Sequence, residues 1–332
     1  MSNETDIKSE LGQRWVSYRP EIRVIDCTIR DGGLMNDHHF ADGTVEAVYR
    51  ACVAGGIDYM EVGYKGSRGV FSPDQYGAWK FSSEDDIRRI VGENDTGLKI
   101  SVMADVDRTD HDNDIPPRDQ SVVDMVRVAC YVHQVPGALE LIKDAHAKGY
   151  ETCVNLMAVS VVSETELDSA LKLFAESEVG TIYLVDSFGS LFNEQVRMLA
   201  QKYLGYAKAQ GKEVGLHAHN NQQLAFANTI EAITLGVNLL DGSLAGLGRG
   251  AGNCPTEMLV GFLRNPKYHM RPLLSCIQDS IEPLRAEMTW GPSIPYMITG
   301  QMNEHPRAAM KWEAGDRPKD YVGFYDSMIA EE

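Results

Sequence analysis

Two histidines separated by one residue, His217 and His219, close a short apolar run in the stretch Gly215-Leu-His-Ala-His-Asn-Asn221. On a β-strand, residues two apart point to the same side. The pair therefore presents two imidazoles to one point, as a metal ion requires of two of its ligands. A third candidate lies far upstream, where Arg30-Asp31-Gly32-Gly33 ends another apolar run. Two imidazoles and a carboxylate, with positions left open for water and substrate, suit a divalent catalytic cation such as Mn2+, Mg2+ or Zn2+. Chance also produces His-x-His pairs on polar strand ends, and Arg30–Asp31 alone reads as a neighbouring salt bridge. The metal reading therefore needs a fold that unites the three.

The elements that must do so alternate regularly. Apolar runs predict strands at 22–30, 57–62, 98–104, 122–129, 151–159, 181–185, the 214–221 stretch and 237–244. Helical periodicity fills 42–54, 84–91, 136–148, 194–210 and 222–235, with further helices after Ser163 and from Thr256. Ser83 with Asp86, and Ser163 with Glu166, have the spacing of capping boxes. Glycines 55–56, 149, 211 and 236 stand where helices stop. Eight strand–helix units in about 240 residues match a (β/α)8 TIM barrel in number and size, with a doubly wound sheet as the alternative. The expected organisation is an N-terminal arm over 1–20, a barrel over 21–268 and a helical extension over 269–332. Short helices are expected in that extension at 282–288, 293–302 and 306–312.

Barrels carry their chemistry at the carboxyl ends of the strands. In a closed barrel, strand one neighbours strand eight and strand eight neighbours strand seven, so Asp31 lies roughly 10 Å of backbone from the two histidines. The loop after strand eight, Gly246-Leu-Gly-Arg-Gly-Ala-Gly-Asn253, resembles a dinucleotide fingerprint, but that motif belongs in the first turn of a Rossmann unit. Here its glycines are expected to let the loop fold over the mouth, with the Asn253 oxygen turned toward the metal or its waters.

Composition narrows the partners. The chain has 332 residues, 43% of them hydrophobic, and a formal net charge of −17. No basic run accompanies it, which argues against nucleic acid and anionic membranes. Six cysteines are scattered without a C-x-x-C pair, the amino terminus has no signal-peptide pattern, and no apolar run reaches 18 residues. A soluble, cytoplasmic, homo-oligomeric protein is expected.

Asp26-Cys-Thr-Ile-Arg-Asp-Gly-Gly33, His217-Ala-His-Asn220 and Gly246-Leu-Gly-Arg-Gly-Ala-Gly-Asn253, in this order, resemble the DRE-TIM metallolyase superfamily. Asp186-Ser-Phe-Gly189 and, more weakly, Val126-Arg-Val-Ala129 are similar to its 4-hydroxy-2-oxovalerate aldolase-like branch. The resemblance implies that Asp31, His217 and His219 bind a divalent metal, that Asn253 ligates it or sits nearby, and that Arg30 stabilises an enolate oxygen. It further implies action on a small oxo or hydroxy acid, with C–C bond cleavage or formation through the enolate of pyruvate or a similar 2-oxo acid. The runner-up is Claisen-type condensation with an acyl-CoA; an amidohydrolase-type metal hydrolase and a non-catalytic barrel are the remaining alternatives. Asn155 and Ser187, at the ends of strands five and six, are candidate substrate contacts, Asn155 also as a hydrogen-bonding support.

One departure stands out. The aldolases have a histidine three or four residues after the metal aspartate, where this chain has Leu34 and Met35. His38, beside His39, and His133, just beyond strand four, are the candidates for the general base. Tyr296 in the extension is a candidate for a proton-transferring tyrosine. Tyr64, Lys65 and Arg68, on the loop after strand two, could contact a substrate carboxylate or phosphate but read as a solvated loop, and the direction of Glu61 is left open.

Overall fold

The computed structural model describes residues 19–330. All but the last two residues of the expected N-terminal arm lie outside the described residues. The strands are β1 (Arg23–Asp26), β2 (Tyr59–Tyr64), β3 (Lys99–Asp105), β4 (Met125–Cys130), β5 (Glu151–Leu156), β6 (Thr181–Asp186), β7 (Glu213–Ala218) and β8 (Leu239–Gly242). They are parallel and close in sequence order, with β1 paired to both β2 and β8. The expected (β/α)8 barrel is thus the fold. Ile25, Tyr59, Met125, Cys153, Tyr183 and Leu239 fill its interior toward the amino ends of the strands.

The first strand is shorter than the 22–30 run suggests. After Asp26 the chain makes a single helical turn, α1 (Thr28–Gly32). The cause is local: Asp26 Oδ1 accepts the Thr28 N–H at 3.1 Å, Thr28 Oγ1 accepts the Leu244 N–H at 2.8 Å, and the Asp31 N–H donates to Cys27 O at 2.9 Å. These bonds turn the backbone away from the sheet. Arg30 and Asp31 therefore ride on a turn above β1 rather than on its end. The fourth strand likewise starts at Met125 rather than at 122, and the acidic 105–119 loop holds a short turn of helix.

The barrel helices are α2 (Asp42–Gly55), α3 (Glu84–Val91), α4 (His111–Asp114), α5 (Val135–Ala147), α6 (Glu164–Glu176), α7 (Asn193–Ala209), α8 (Ala225–Leu235) and α9 (Thr256–Leu263). Ser83 Oγ accepts the Asp86 N–H at 3.2 Å, and Ser163 forms the reciprocal capping box with Glu166. Helix α2 stops at Gly56, whose φ of +70° and approach to Lys267 O leave no room for a side chain.

Four helices follow: α10 (Met270–Cys276), α11 (Ile294–Gln301), α12 (Arg307–Glu313) and α13 (Tyr321–Ala330). The His269 N–H donates to Gly55 O at 2.9 Å, which sets α10 beside α2. The others build a small core of Tyr296, Ile298, Ala309, Phe324 and Met328 that packs on Ala251 of the Gly-rich loop. Trp290 Nε1 donates to Ala245 O at 3.0 Å, and Asn303 Nδ2 to Ser160 O at 3.1 Å. The extension is thus pinned over the carboxyl end of the barrel. Among the described residues, no helix is long and apolar enough to cross a membrane.

Candidate active site

The carboxyl ends of the strands surround a cavity of about 300 Å³, the volume of a small organic molecule. Asp31, His217 and His219 meet at its floor, all buried, with one ligand atom from each within 4.8 Å of the others. His219 Nε2 lies 4.0 Å from Asp31 Oδ2. Each imidazole is oriented through its other nitrogen: His217 Nδ1 bonds Asp241 Oδ2 at 2.8 Å, and His219 Nδ1 bonds Gly252 O at 3.3 Å. Such bonds fix ring orientation and leave Nε2 for a metal.

The loop after β8 closes the floor. Asn253 Nδ2 donates to Asp31 Oδ2, while its Oδ1 is buried without a partner. A Cβ on Gly248 would fall 2.4 Å from Asn253 Nδ2 and 2.7 Å from Asp31 Oδ2, so only glycine permits this approach. Burial pushes the Asp31 carboxyl up, but Arg30, His219 and His217 outweigh it and hold the group below the usual carboxylate range. Burial also keeps His219 neutral, well below its ordinary value, against the opposing pull of Asp31.

A buried ionic chain runs through the barrel beneath this floor. Arg30 donates from Nη1 to Asp31 at 2.7 Å and from Nε to Glu61 at 2.6 Å. Arg127, fully buried, donates to Glu61 at 2.9 Å and to Asp241 at 2.6 Å, with its guanidinium 4.3 Å over the Tyr183 ring. Glu61 therefore points into the barrel, which settles its direction. Along this chain two guanidinium groups, Arg30 and Arg127, face three carboxylates, Asp31, Glu61 and Asp241. The donor set, the second-nitrogen bonds and the Gly248 cradle all fit a divalent cation.

Asn155 and Ser187 both line the cavity; Asn155 Oδ1 is buried without a partner, and Ser187 Oγ accepts the Ala158 N–H at 2.9 Å. Leu34, at the place of the missing histidine, lines it too. Three expected participants are elsewhere. His38 is buried behind the wall, with its ring edge-on to Tyr64 at 5.2 Å; burial and then Lys80 depress its pKa to about 3. His133 is exposed, stacked on Tyr131 and lining an outer groove with Leu173, because the turn after β4 carries it outward. Tyr296 packs its ring beneath Gly250, in the core of the extension.

The cavity instead brings in Lys80, Asp105, Arg108, Arg249, His305 and Arg307, together with Tyr64. Tyr64 is no part of a solvated loop: it ends β2 and is buried, as is Lys65, whose ammonium donates to Ser82 O at 2.8 Å. Asp241 and Arg127 support the floor. A charged residue inside a fully buried strand, as in Leu239-Leu-Asp-Gly242 and Met125-Val-Arg-Val-Ala-Cys130, was the signal available for those two.

Fold and floor together define a TIM-barrel protein with a buried His-His-Asp cluster of the kind that could hold a metal ion. A family model described as HMGL-like matches residues 21–279, and the chain belongs to that family. It is 32% identical over 278 residues to a 4-hydroxy-2-oxovalerate aldolase of Carboxydothermus hydrogenoformans, covering 82% of this chain and 80% of the relative. It is 29% identical over 245 residues to an oxaloacetate decarboxylase of Mycobacterium tuberculosis, covering 73% and 69%. The solved HMG-CoA lyase of Brucella melitensis matches with a TM-score of 0.65 at 17% identity, over 80% of this chain and 99% of that one, and shares the fold. The membership read from the three motifs therefore holds.

Proposed function

We propose that the protein is a divalent-metal-dependent carbon–carbon lyase that breaks or forms the bond between a carbonyl partner and the enolate of pyruvate or a similar 2-oxo acid. The observation that carries this reading is the buried Asp31–His217–His219 cluster opening directly onto a substrate-sized cavity. The names of its relatives, aldolase and decarboxylase, support it over acyl-CoA condensation. The cation would be Mn2+, Mg2+ or Zn2+, with Asn253 as a further ligand or the group that steers Asp31. When bound there it supplies Lewis acidity toward the oxygens of a 2-oxo acid.

The chain's own groups do the rest. Arg30 lines the cavity and keeps a buried guanidinium nitrogen, Nη2, without a partner. It would donate to the oxygen on which enolate charge develops, from a position already fixed by Glu61 and Asp31. Asn155 and the Ser187 hydroxyl would orient the 2-oxo acid. Tyr64 replaces the missing histidine as the proton carrier. It lines the cavity with Arg30, Asp105 and Asp31 as its charge neighbours, and burial raises its pKa so that it enters the condensation direction protonated. The six buried free thiols suit a cytoplasmic setting.

The test is exchange of the pyruvate methyl protons into deuterated water. Exchange that requires a divalent metal, and that Asp31→Ala abolishes together with metal binding, is the expected result. Metal-independent exchange, or none in the metal-loaded protein, would overturn the reading.

A further inference from the structure

Charge is distributed unevenly between this molecule and its cavity. The chain as a whole carries −17. The cavity is lined by five permanent cations, Arg30, Lys80, Arg108, Arg249 and Arg307, against only Asp31 and Asp105. Arg30 belongs to the metal floor, and Asp31 is the strongest charge neighbour of Arg249. Those two guanidinium groups stand beside Asp31 at the inner end and are available to the carboxylate of a 2-oxo acid held there.

Lys80, Arg108, His305 and Arg307 make up the outer wall. Lys80 is 5% exposed, and among the described residues no carboxylate lies within ion-pair distance of it. Its ammonium sits 4.5 Å from the Tyr64 ring centre and 3.9 Å from that of Phe71, contacts that hold a cation without neutralising it. Arg108 reaches Asp105 only at 3.9 Å and is otherwise exposed. Arg307 has no carboxylate partner among the described residues, and its backbone N–H donates to His305 Nδ1 at 3.1 Å. That bond places the remaining imidazole proton on Nε2, so neutral His305 is a donor. A nearly buried ammonium whose charge partner, Asp105, lies beyond ion-pair distance and is shared with Arg108, facing further cationic and donor groups, is the arrangement of an anion site.

We propose that the carbonyl partner of the bond made or broken here carries an anionic group of its own, a phosphate ester or a second carboxylate. The Lys80, Arg307 and His305 wall binds it, with Arg108 at the rim. The inference rests on the lyase reading for the reaction but not for the binding. A pyruvyl carboxylate satisfies the inner pair and leaves the outer wall with Asp105 alone against Lys80, Arg108 and Arg307. In the condensation direction, the pyruvate methyl carbon loses one proton and bonds the aldehyde carbon, and the aldehyde oxygen gains one proton. The anionic tail is unchanged and serves only to anchor the partner.

The experiment uses the metal-loaded full chain with pyruvate and three aldehydes: glycolaldehyde phosphate, succinic semialdehyde and neutral propanal. At least one anionic aldehyde is expected to exceed propanal in kcat/KM by about tenfold or more, the scale of one charge-assisted hydrogen bond. Which of the two does so identifies phosphate or carboxylate. In Lys80→Met and in Arg307→Met that ratio is expected to collapse, and a ratio taken within one variant is insensitive to partial misfolding. Equal use of propanal by the unmodified chain, or a ratio the substitutions leave intact, would overturn the proposal. So would coenzyme A binding in competition with glycolaldehyde phosphate. Calorimetric titration with 2-phosphoglycolate separates the two readings. Binding that the substitutions abolish, in a chain that shows no pyruvate exchange, would retain the anion site and discard the reaction; no binding at all would discard the site.

Discussion

At the scale of single residues, Tyr64 carries the most consequence. It occupies the cavity wall beside Leu34, which stands where related aldolases have a histidine. Removing only its hydroxyl, in Tyr64→Phe, is expected to lower kcat for C–C cleavage by about 10² to 10⁴, the usual range for a general acid–base group. Pyruvate binding, measured by calorimetry, should change little. A Tyr64→Phe enzyme with undiminished kcat would return the proton to another group. His38 is a poor substitute, because a pKa depressed to about 3 leaves it neutral and weakly basic in its buried position behind that wall. These assignments show what sequence spacing can and cannot read. His217 and His219 were legible because a strand's period of two aligns them on one point. His133 was misplaced because spacing says that it follows a strand, and not which way the next turn carries its ring.

Elements explain the rest of the site. Arg127 ties three strands together, bonding Glu61 of β2 and Asp241 of β8 from its place on β4. Arg127→Met removes the guanidinium that bridges buried Glu61 and Asp241, and the loss is expected to be about 3–5 kcal/mol of unfolding free energy in urea titrations. A change under about 1 kcal/mol would mean that the carboxylates take up protons or water at little cost. The barrel itself was readable from alternation, helix stops and capping pairs, which are local signals. The turn α1 was not: it depends on Thr28 Oγ1 accepting a bond from Leu244, 216 residues away in sequence. For the same reason the outer wall was invisible. His305 and Arg307 reach the cavity only because the extension docks over the mouth, and no periodicity within the extension announces that.

For the whole molecule, the informative variable is pH. Burial raises the Asp186 carboxyl to about 7, although the Ser190 and Leu191 N–H groups donate to it at 3.0 and 3.3 Å. A carboxyl raised on folding binds its proton more tightly in the native state than in the unfolded chain, where its value is about 3.9. Stability from this group is therefore fully present below about pH 4 and is lost as pH rises through about 7. Replacing the carboxyl in Asp186→Asn removes that dependence. The fall in unfolding free energy between pH 4.5 and pH 8 should then be smaller than in the unmodified protein, by up to about 3 kcal/mol. Parallel pH profiles for the two proteins would show that Asp186 does not titrate in this way.

The pairing of Asn253 with Asp31 spans 222 residues, with β2 through β8 lying between them in the chain. On a growing chain, the carboxylate that would hold the cation is among the first groups made, while the imidazoles and the amide that complete the cluster come late; on a refolding chain, the same groups meet only when the ends of the barrel do. No partial barrel contains the full set. Uptake of the ion should thus act as a time-stamp for ring closure, lagging behind helix formation seen by circular dichroism and coinciding with the docking of β8 onto β1.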